Sequence, residues 1–257
     1  MARVFITGSS DGLGLMVGKL LADQGHQVVL HARSDARAAD ARKAARKAEA
    51  VVVGDLSTIA AVKDVARQVN ALGRFDAVIH NAAVGFREGH RVTGDGVPHV
   101  FAINTLAPYV LTALIEKPKR LVYLSSGMHD RANAHLDDIL WRNRRWDGST
   151  AYAESKLHDV MLAFAVARLW PDVLSNALTP GWVATKMGGA GAPDDIDQAH
   201  LTQAWLATSD EAAARTTGGY FYHLKRREPN PETRDVALQK RLIDICRDIS
   251  GVDLPQA

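Results

Sequence analysis

The alternation of short apolar runs with longer helical stretches constrains this chain more than any other feature. Val4–Thr7, Gln27–His31, Ala50–Gly54, Asp76–His80, Arg120–Ser125, Val173–Leu178 and Gly219–Tyr222 are rich in Val, Ile, Leu and Tyr. Between them Leu13–Gln24, Ala36–Lys47, Ile59–Leu72, Val97–Ile115, Tyr152–Leu169, Ile196–Thr208 and Glu232–Asp248 carry helical spacing. Strands that are apolar on both faces and separated by helices belong to a parallel sheet covered on both sides, with right-handed crossovers. The pattern therefore predicts an α/β fold. No repeat and no Pro/Ser linker divides the chain, so residues 1–257 are expected to form a single domain. Pro108 falls inside the fourth helix and is expected to bend it. Gly188, Gly189 and Gly191 mark a mobile connection, read here as a substrate loop over about 186–199.

Charge and cysteine content exclude several function classes. The chain has 31 basic and 29 acidic residues, so no global field favours nucleic acid or anionic lipid. Arg142, Arg144 and Arg145 beside Trp141 and Trp146 look like a local basic patch, but this balance argues against nucleic acid. The tryptophans are read either as apolar walls of a substrate pocket or as anchors of their own loop. The single Cys246 permits no internal disulfide. No basic segment followed by an apolar core opens the chain, and the longest apolar run, Val160–Ala167, is far too short to span a bilayer. A cytoplasmic protein without a membrane span is the expectation. The histidines show no metal-ligand spacing, so no metal site is expected.

Thr7-Gly8-Ser9-Ser10-Asp11-Gly12-Leu13-Gly14 joins the first strand to the first helix. Bare amides at a helix start attract an anion, and glycines let a pyrophosphate come close. At this position the turn is a dinucleotide site, with Gly8, Ser9, Ser10, Gly12, Leu13 and Gly14 as contacts. The second strand then selects the dinucleotide. NAD-selective folds place a carboxylate at its end to hold the ribose. Here Ala32 stands at that place and Arg33 follows. A guanidinium pairs with a 2′-phosphate, and Ser9 and Ser10 add hydroxyl donors, so NADP(H) is favoured over NAD(H). Asp35, two residues on, is the counter-signal.

Tyr152 and Lys156 are one helical turn apart, on one face. An ammonium there stabilises a phenolate and equips the tyrosine to exchange a proton with a carbonyl or alcohol. Ser125 and Ser126 end the fifth strand, where a hydroxyl can orient a substrate oxygen. Asn81, Ala82 and Ala83 end the fourth strand with small groups, and Asn104 in the next helix is placed to hold a water for proton relay.

Together these motifs resemble the short-chain dehydrogenase/reductase family, from Val4 to about Ser250. The glycine turn Thr7 to Gly14 is similar to the family fingerprint, and Asp55-Leu56 to its adenine-contacting pair. Asn81-Ala82-Ala83 departs slightly from the usual Asn-Ala-Gly. Asn104, Ser126, Tyr152 and Lys156 match the catalytic tetrad, and Pro180, Val183 and Thr185 match the segment holding the nicotinamide carboxamide. Leu124 to His129 and Tyr152 to Leu157 give a retinol-dehydrogenase-like or carbonyl-reductase-like flavour. The resemblance implies a single-domain Rossmann fold, three layers α/β/α, with seven parallel strands in the order 3-2-1-4-5-6-7. It implies hydride transfer between NADP(H) and a small carbonyl or alcohol substrate. Tyr152 would be the general acid or base, and Lys156 would hold the ribose. It also implies a homodimer or homotetramer paired through the helices bearing Asn104 and Tyr152. The alternative is a cofactor-binding scaffold or regulator of the same fold with little catalysis. The extended epimerase branch is disfavoured, because it needs different glycine spacing and a longer C-terminal domain.

Overall fold

The computed structural model describes residues 1–256 and builds them around one sheet. Its strands are β1 Arg3–Ile6, β2 Gln27–Ala32, β3 Ala50–Val53, β4 Ala77–His80, β5 Arg120–Leu124, β6 Leu174–Leu178, β7 Tyr220–Tyr222 and β8 Lys225–Arg227. Their spatial order is 3-2-1-4-5-6-7-8, parallel except for β8. Helices α1 Gly12–Asp23, α2 Asp35–Ala44, α3 Ile59–Ala71, α4 His99–Phe101, α5 Ala107–Leu114, α6 Gly148–Leu169, α7 Ile196–Ala199, α8 Leu201–Thr208 and α9 Val236–Ser250 complete the chain. One apolar cluster joins one sheet face to α3, α5, α6 and α9; the other joins the opposite face to α1 and α8. This is the predicted Rossmann-type arrangement of three layers.

The eighth strand corrects the expected count of seven. Lys225–Arg227 is fully exposed and all basic, so a search for apolar runs passes over it. It pairs antiparallel to β7 through a two-residue turn at His223 and Leu224, both at positive φ (47° and 63°). Two left-handed residues give the twist that a tight hairpin needs. An edge made of cations also resists further strand pairing.

The fourth predicted helix is interrupted before Pro108. Pro108 has no N–H for the carbonyl four residues back. The chain widens into a π turn over Ala102–Leu106, in which the Ala107 N–H reaches Ala102 O, and α5 resumes beyond it. The sixth predicted helix breaks at His200 into α7 and α8. Helix α6 starts before its predicted boundary, at Gly148, because Asp147 caps it through the Thr150 N–H (2.7 Å).

Helix α6 is covered nearly all round. From Ala151 to Val166 only Ala153 is even half-exposed. The sheet lies on one side and α9 on another, while segment 134–146 covers its start. Glu154, itself buried, holds that segment through both nitrogens of Arg144 (2.6 and 3.0 Å) and through His135 (2.6 Å). Trp141 lies against Val100 and Ala151, Arg144 stacks on it at 3.9 Å, and Trp146 donates to Glu88 O (3.1 Å). These contacts anchor the segment that carries the tryptophans, and both rings also line a small cavity with Pro98, Phe101 and Ile139.

Candidate active site

All the predicted site residues gather at the C-terminal edge of the sheet, because parallel strands all end there. The strand order changes direction between β1 and β4, the place where open α/β sheets take their ligands. Asn81 bridges it. Its Nδ2 donates to Thr7 O and Gly8 O (3.0 Å each), and its backbone N–H and that of Ala82 both donate to Thr7 Oγ1 (3.0 Å each).

The glycine turn ends in an uncapped helix start. The first i to i−4 bond of α1 runs from Leu15 N–H to Asp11 O (3.1 Å), so the amides of Gly12, Leu13 and Gly14 precede it. Asp11 precedes the helix but its side chain does not cap it. Its carboxylate instead binds Arg37 of α2 (2.5 Å) and Lys186 of the loop after β6 (2.9 Å). A Cβ on Gly12 would meet nothing within 4 Å, whereas one on Gly14 would stand 2.5 Å from Asn81 Nδ2 and 2.6 Å from Gly8 O. Gly14 is thus required for close packing and Gly12 faces open space. This bare, uncapped cradle fits the pyrophosphate of a dinucleotide.

His31 underlies the same turn and was missed by sequence reasoning. Its Nδ1 accepts the Gly8 N–H (3.0 Å) and its Nε2 donates to Gly54 O (2.8 Å), tying the glycine turn to the end of β3. Burial pushes its pKa down to about 4, so the ring is neutral with the proton on Nε2. A histidine inside an apolar strand was the available signal. Ser9 is corrected. It is fully buried, its hydroxyl donates to Ile6 O (2.7 Å) and accepts the His31 N–H (2.8 Å), and its own N–H goes to His31 O. It has no donor left for a phosphate. Ser10 lies half-buried. Arg33 is exposed just beyond buried Ala32 and forms no ion pair among the described residues. Asp55 is exposed and Leu56 buried at the end of β3.

Asn104 has a structural task. It lies in the π turn, fully buried, and both ends of its amide are committed. Oδ1 accepts Val84 N–H (2.8 Å), while Nδ2 donates to Val84 O (3.0 Å) and Ser155 Oγ (3.0 Å). The side chain fixes the segment after Ala83 and, through Ser155 Oγ on Tyr152 O (2.7 Å), the backbone of Tyr152.

The two serines after β5 divide their tasks. Ser125 is buried and donates to Lys156 O (2.7 Å), which docks α6 on the strand. Ser126 is half-exposed, accepts the Met128 N–H (3.3 Å) and presents its hydroxyl at the edge. Tyr152 is 7% exposed, meets the Phe86 ring edge-on at 6.2 Å, and its hydroxyl takes no hydrogen bond from the described residues. The Lys156 ammonium stands 5.8 Å from the Tyr152 ring centre and is buried. It donates to Leu124 O (2.8 Å) and to Asp159 (2.7 Å), which leaves one of its three protons.

The loop after β6 reaches the segments that follow β1 and β4. Buried Val183 pairs with Asp194 as a β-bridge, and Thr185 Oγ1 accepts the Gly188 N–H (3.1 Å). Pro180 is half-buried at its start. Lys186 reaches Asp11 on the glycine turn, and Met187 lies so close to Gly85 that a Cβ there would meet its Cγ at 2.7 Å. The loop therefore touches the ends of both β1 and β4. No group of three or more His, Cys, Asp or Glu side chains among the described residues is placed to hold a metal.

Comparison with known proteins decides the family. The short chain dehydrogenase family model matches residues 2–122. An uncharacterized oxidoreductase of Emericella nidulans is 44% identical over 99% of each chain. A short-chain dehydrogenase of Penicillium rubens is 41% identical over 99% of this chain and 100% of its own. The chain belongs to the short-chain dehydrogenase family. Human retinol dehydrogenase 13 is a more distant relative, 28% identical over 98% of this chain and 85% of its own. A solved structure from Mycobacterium paratuberculosis, of a putative uncharacterized protein, superposes with a TM-score of 0.83 at 25% identity, covering 99% of this chain and 95% of that one. As a short-chain dehydrogenase the protein is an oxidoreductase that uses NAD(P) and a small-molecule substrate. No helix among its described residues is long and apolar enough to cross a membrane.

Proposed function

We propose that this short-chain dehydrogenase transfers a hydride between NADP(H) and a small carbonyl or alcohol substrate, with Tyr152 as the general acid in reduction and base in oxidation. The observation that carries the reading is the Tyr152 hydroxyl, free of protein partners, beside a buried ammonium. A phenol so placed gives its proton to a carbonyl oxygen, and the positive charge stabilises the phenolate that remains. Ser126 adds a second hydroxyl at the strand edge to orient the same oxygen. Asn104, Ser155 and Ser125 hold the backbone from which Tyr152 and Lys156 project.

The amides of Gly12, Leu13 and Gly14 would hold the dinucleotide pyrophosphate, Asp55 and Leu56 the adenine, and Ala82, Ala83, Pro180, Val183 and Thr185 the nicotinamide end. When bound, the nicotinamide supplies or takes the hydride. The preference for NADP(H) rests on Arg33, an exposed guanidinium without an ionic partner among the described residues, next to Ala32, which stands where an NAD-selective fold has its acid.

The test is a panel of carbonyls and alcohols followed by nicotinamide absorbance, with NADPH and NADH in parallel. Tyr152→Phe should abolish turnover and leave NADPH affinity nearly unchanged; continued turnover in this variant refutes the acid–base role. Arg33→Ala should weaken NADPH binding by about tenfold or more and leave NADH binding nearly constant. Equal effects on both cofactors overturn the preference.

A further inference from the structure

Asp159 lies one turn beyond Lys156 on the same face of α6, and no motif reading assigns it a task. Its Oδ2 is 2.7 Å from Lys156 Nζ, and each side chain is only 3% exposed. The ammonium therefore sits between two acceptors, the carboxylate of Asp159 and the last carbonyl of β5, Leu124 O. The other ionisable groups around the pair are neutral. Tyr123 of β5 lies within the field of Asp159, and burial raises its pKa. Behind it Tyr123 shares Thr112 Oγ1 with His80 of β4, and burial lowers the pKa of that imidazole to about 3. Asp159 is thus the one anion paired with Lys156 among the described residues. Burial raises its own pKa to about 6 against the pull of Lys156, so it carries its charge at neutral pH.

A lysine with a carboxylate at contact distance is electrically almost cancelled when seen from a third group. We infer that Asp159 is a positioning residue that sets how much of the Lys156 charge reaches Tyr152: it holds the ammonium against β5 and attenuates its stabilisation of the Tyr152 phenolate. This rests on the Tyr152 chemistry proposed above. Burying a lysine without a counter-ion drives off its proton, and a bare ammonium would over-stabilise the phenolate at the expense of proton donation. The carboxylate prevents both.

The test needs no substrate. The full chain has five tyrosines. Tyr109, Tyr123, Tyr220 and Tyr222 are all raised by burial, and the Tyr152 step in a tyrosinate ultraviolet titration is identified as the one missing from Tyr152→Phe. In Asp159→Asn the amide still accepts from Lys156 but carries no charge. The Tyr152 step should then move to lower pH by about one unit. Asp159→Ser should move it the same way, should the amide variant fold poorly by circular dichroism. Asp159→Glu, which keeps the negative charge, should leave the step nearly in place. A step that stays in place or moves to higher pH in Asp159→Asn overturns the inference. So does a shift of the same size in Asp159→Glu. If Tyr152→Phe removes no step and keeps its turnover, the failure lies with the Tyr152 assignment; if Tyr152→Phe is inactive and only the Asp159 shift is absent, it lies with this inference alone.

Discussion

Acid should unfold this protein earlier than its ordinary composition suggests, and His31 shows why. The ring is buried and neutral in the fold, with a pKa of about 4 against 6.5 in an unfolded chain. Between those values the unfolded state binds more protons, so stability falls as pH drops through 6.5 and continues to fall to about 4. At pH 5 the loss from His31 alone is about 2 kcal/mol. Burial lowers His80 to about 3 and His158 to about 4 in the same way, and each adds a similar loss. Asp159 acts with the opposite sign. Raised to about 6, it binds a proton in the fold before it does in the unfolded chain and returns roughly 1 kcal/mol at pH 5. The net loss is about 5 kcal/mol, a large part of the roughly 5–15 kcal/mol that holds a typical domain together. It has a local consequence, since a protonated His31 sets an N–H against the Gly8 N–H it now accepts. The glycine turn is therefore expected to loosen with acid before the sheet does. Urea unfolding followed by tryptophan fluorescence at about pH 8 and about pH 5 measures the effect. His31→Leu lowers stability at both pH values by removing two hydrogen bonds, but reduces the difference between them by about 2 kcal/mol. A wild-type difference below about 1 kcal/mol, or a His31→Leu difference equal to that of the wild type, refutes the reasoning.

Two further outcomes are expected. Gly14→Ala places a methyl 2.5 Å from Asn81 Nδ2 and 2.6 Å from Gly8 O, so it should reduce dinucleotide affinity in titration calorimetry by about tenfold or more, and wild-type affinity in this variant contradicts the packing assigned to Gly14. Because α6 is covered by its own chain, the protein should sediment as a monomer of 27.8 kDa; a dimer whose cross-links map to α6 contradicts this and restores the assembly that the family resemblance implies.

Much of the site was legible because its chemistry follows from position along the chain. A strand, a glycine turn and a helix in succession place bare amides at a sheet edge, and Tyr152 and Lys156 share a face through helical periodicity alone. Some helix boundaries and the eighth strand were less legible. Asp147 and Asp235 cap α6 and α9, but a cap is one residue among many polar ones. Strand β8 has no apolar signal, because it owes its place to pairing with β7.

By itself the sequence determined the layered fold, the order of its elements and which residue types reach the sheet edge. Those depend on local periodicity and on connections short enough to leave few topologies. Only the tertiary structure decided what each polar atom does. Ser9 and Asn104 have the composition of ligand-binding groups, yet burial commits them to holding the backbone. His31 and Asp159 have no motif, yet burial beside Gly8 and Lys156 makes them part of the site. In a dry interior every donor and acceptor must find a partner, and that partner comes from distant segments that the sequence does not place side by side.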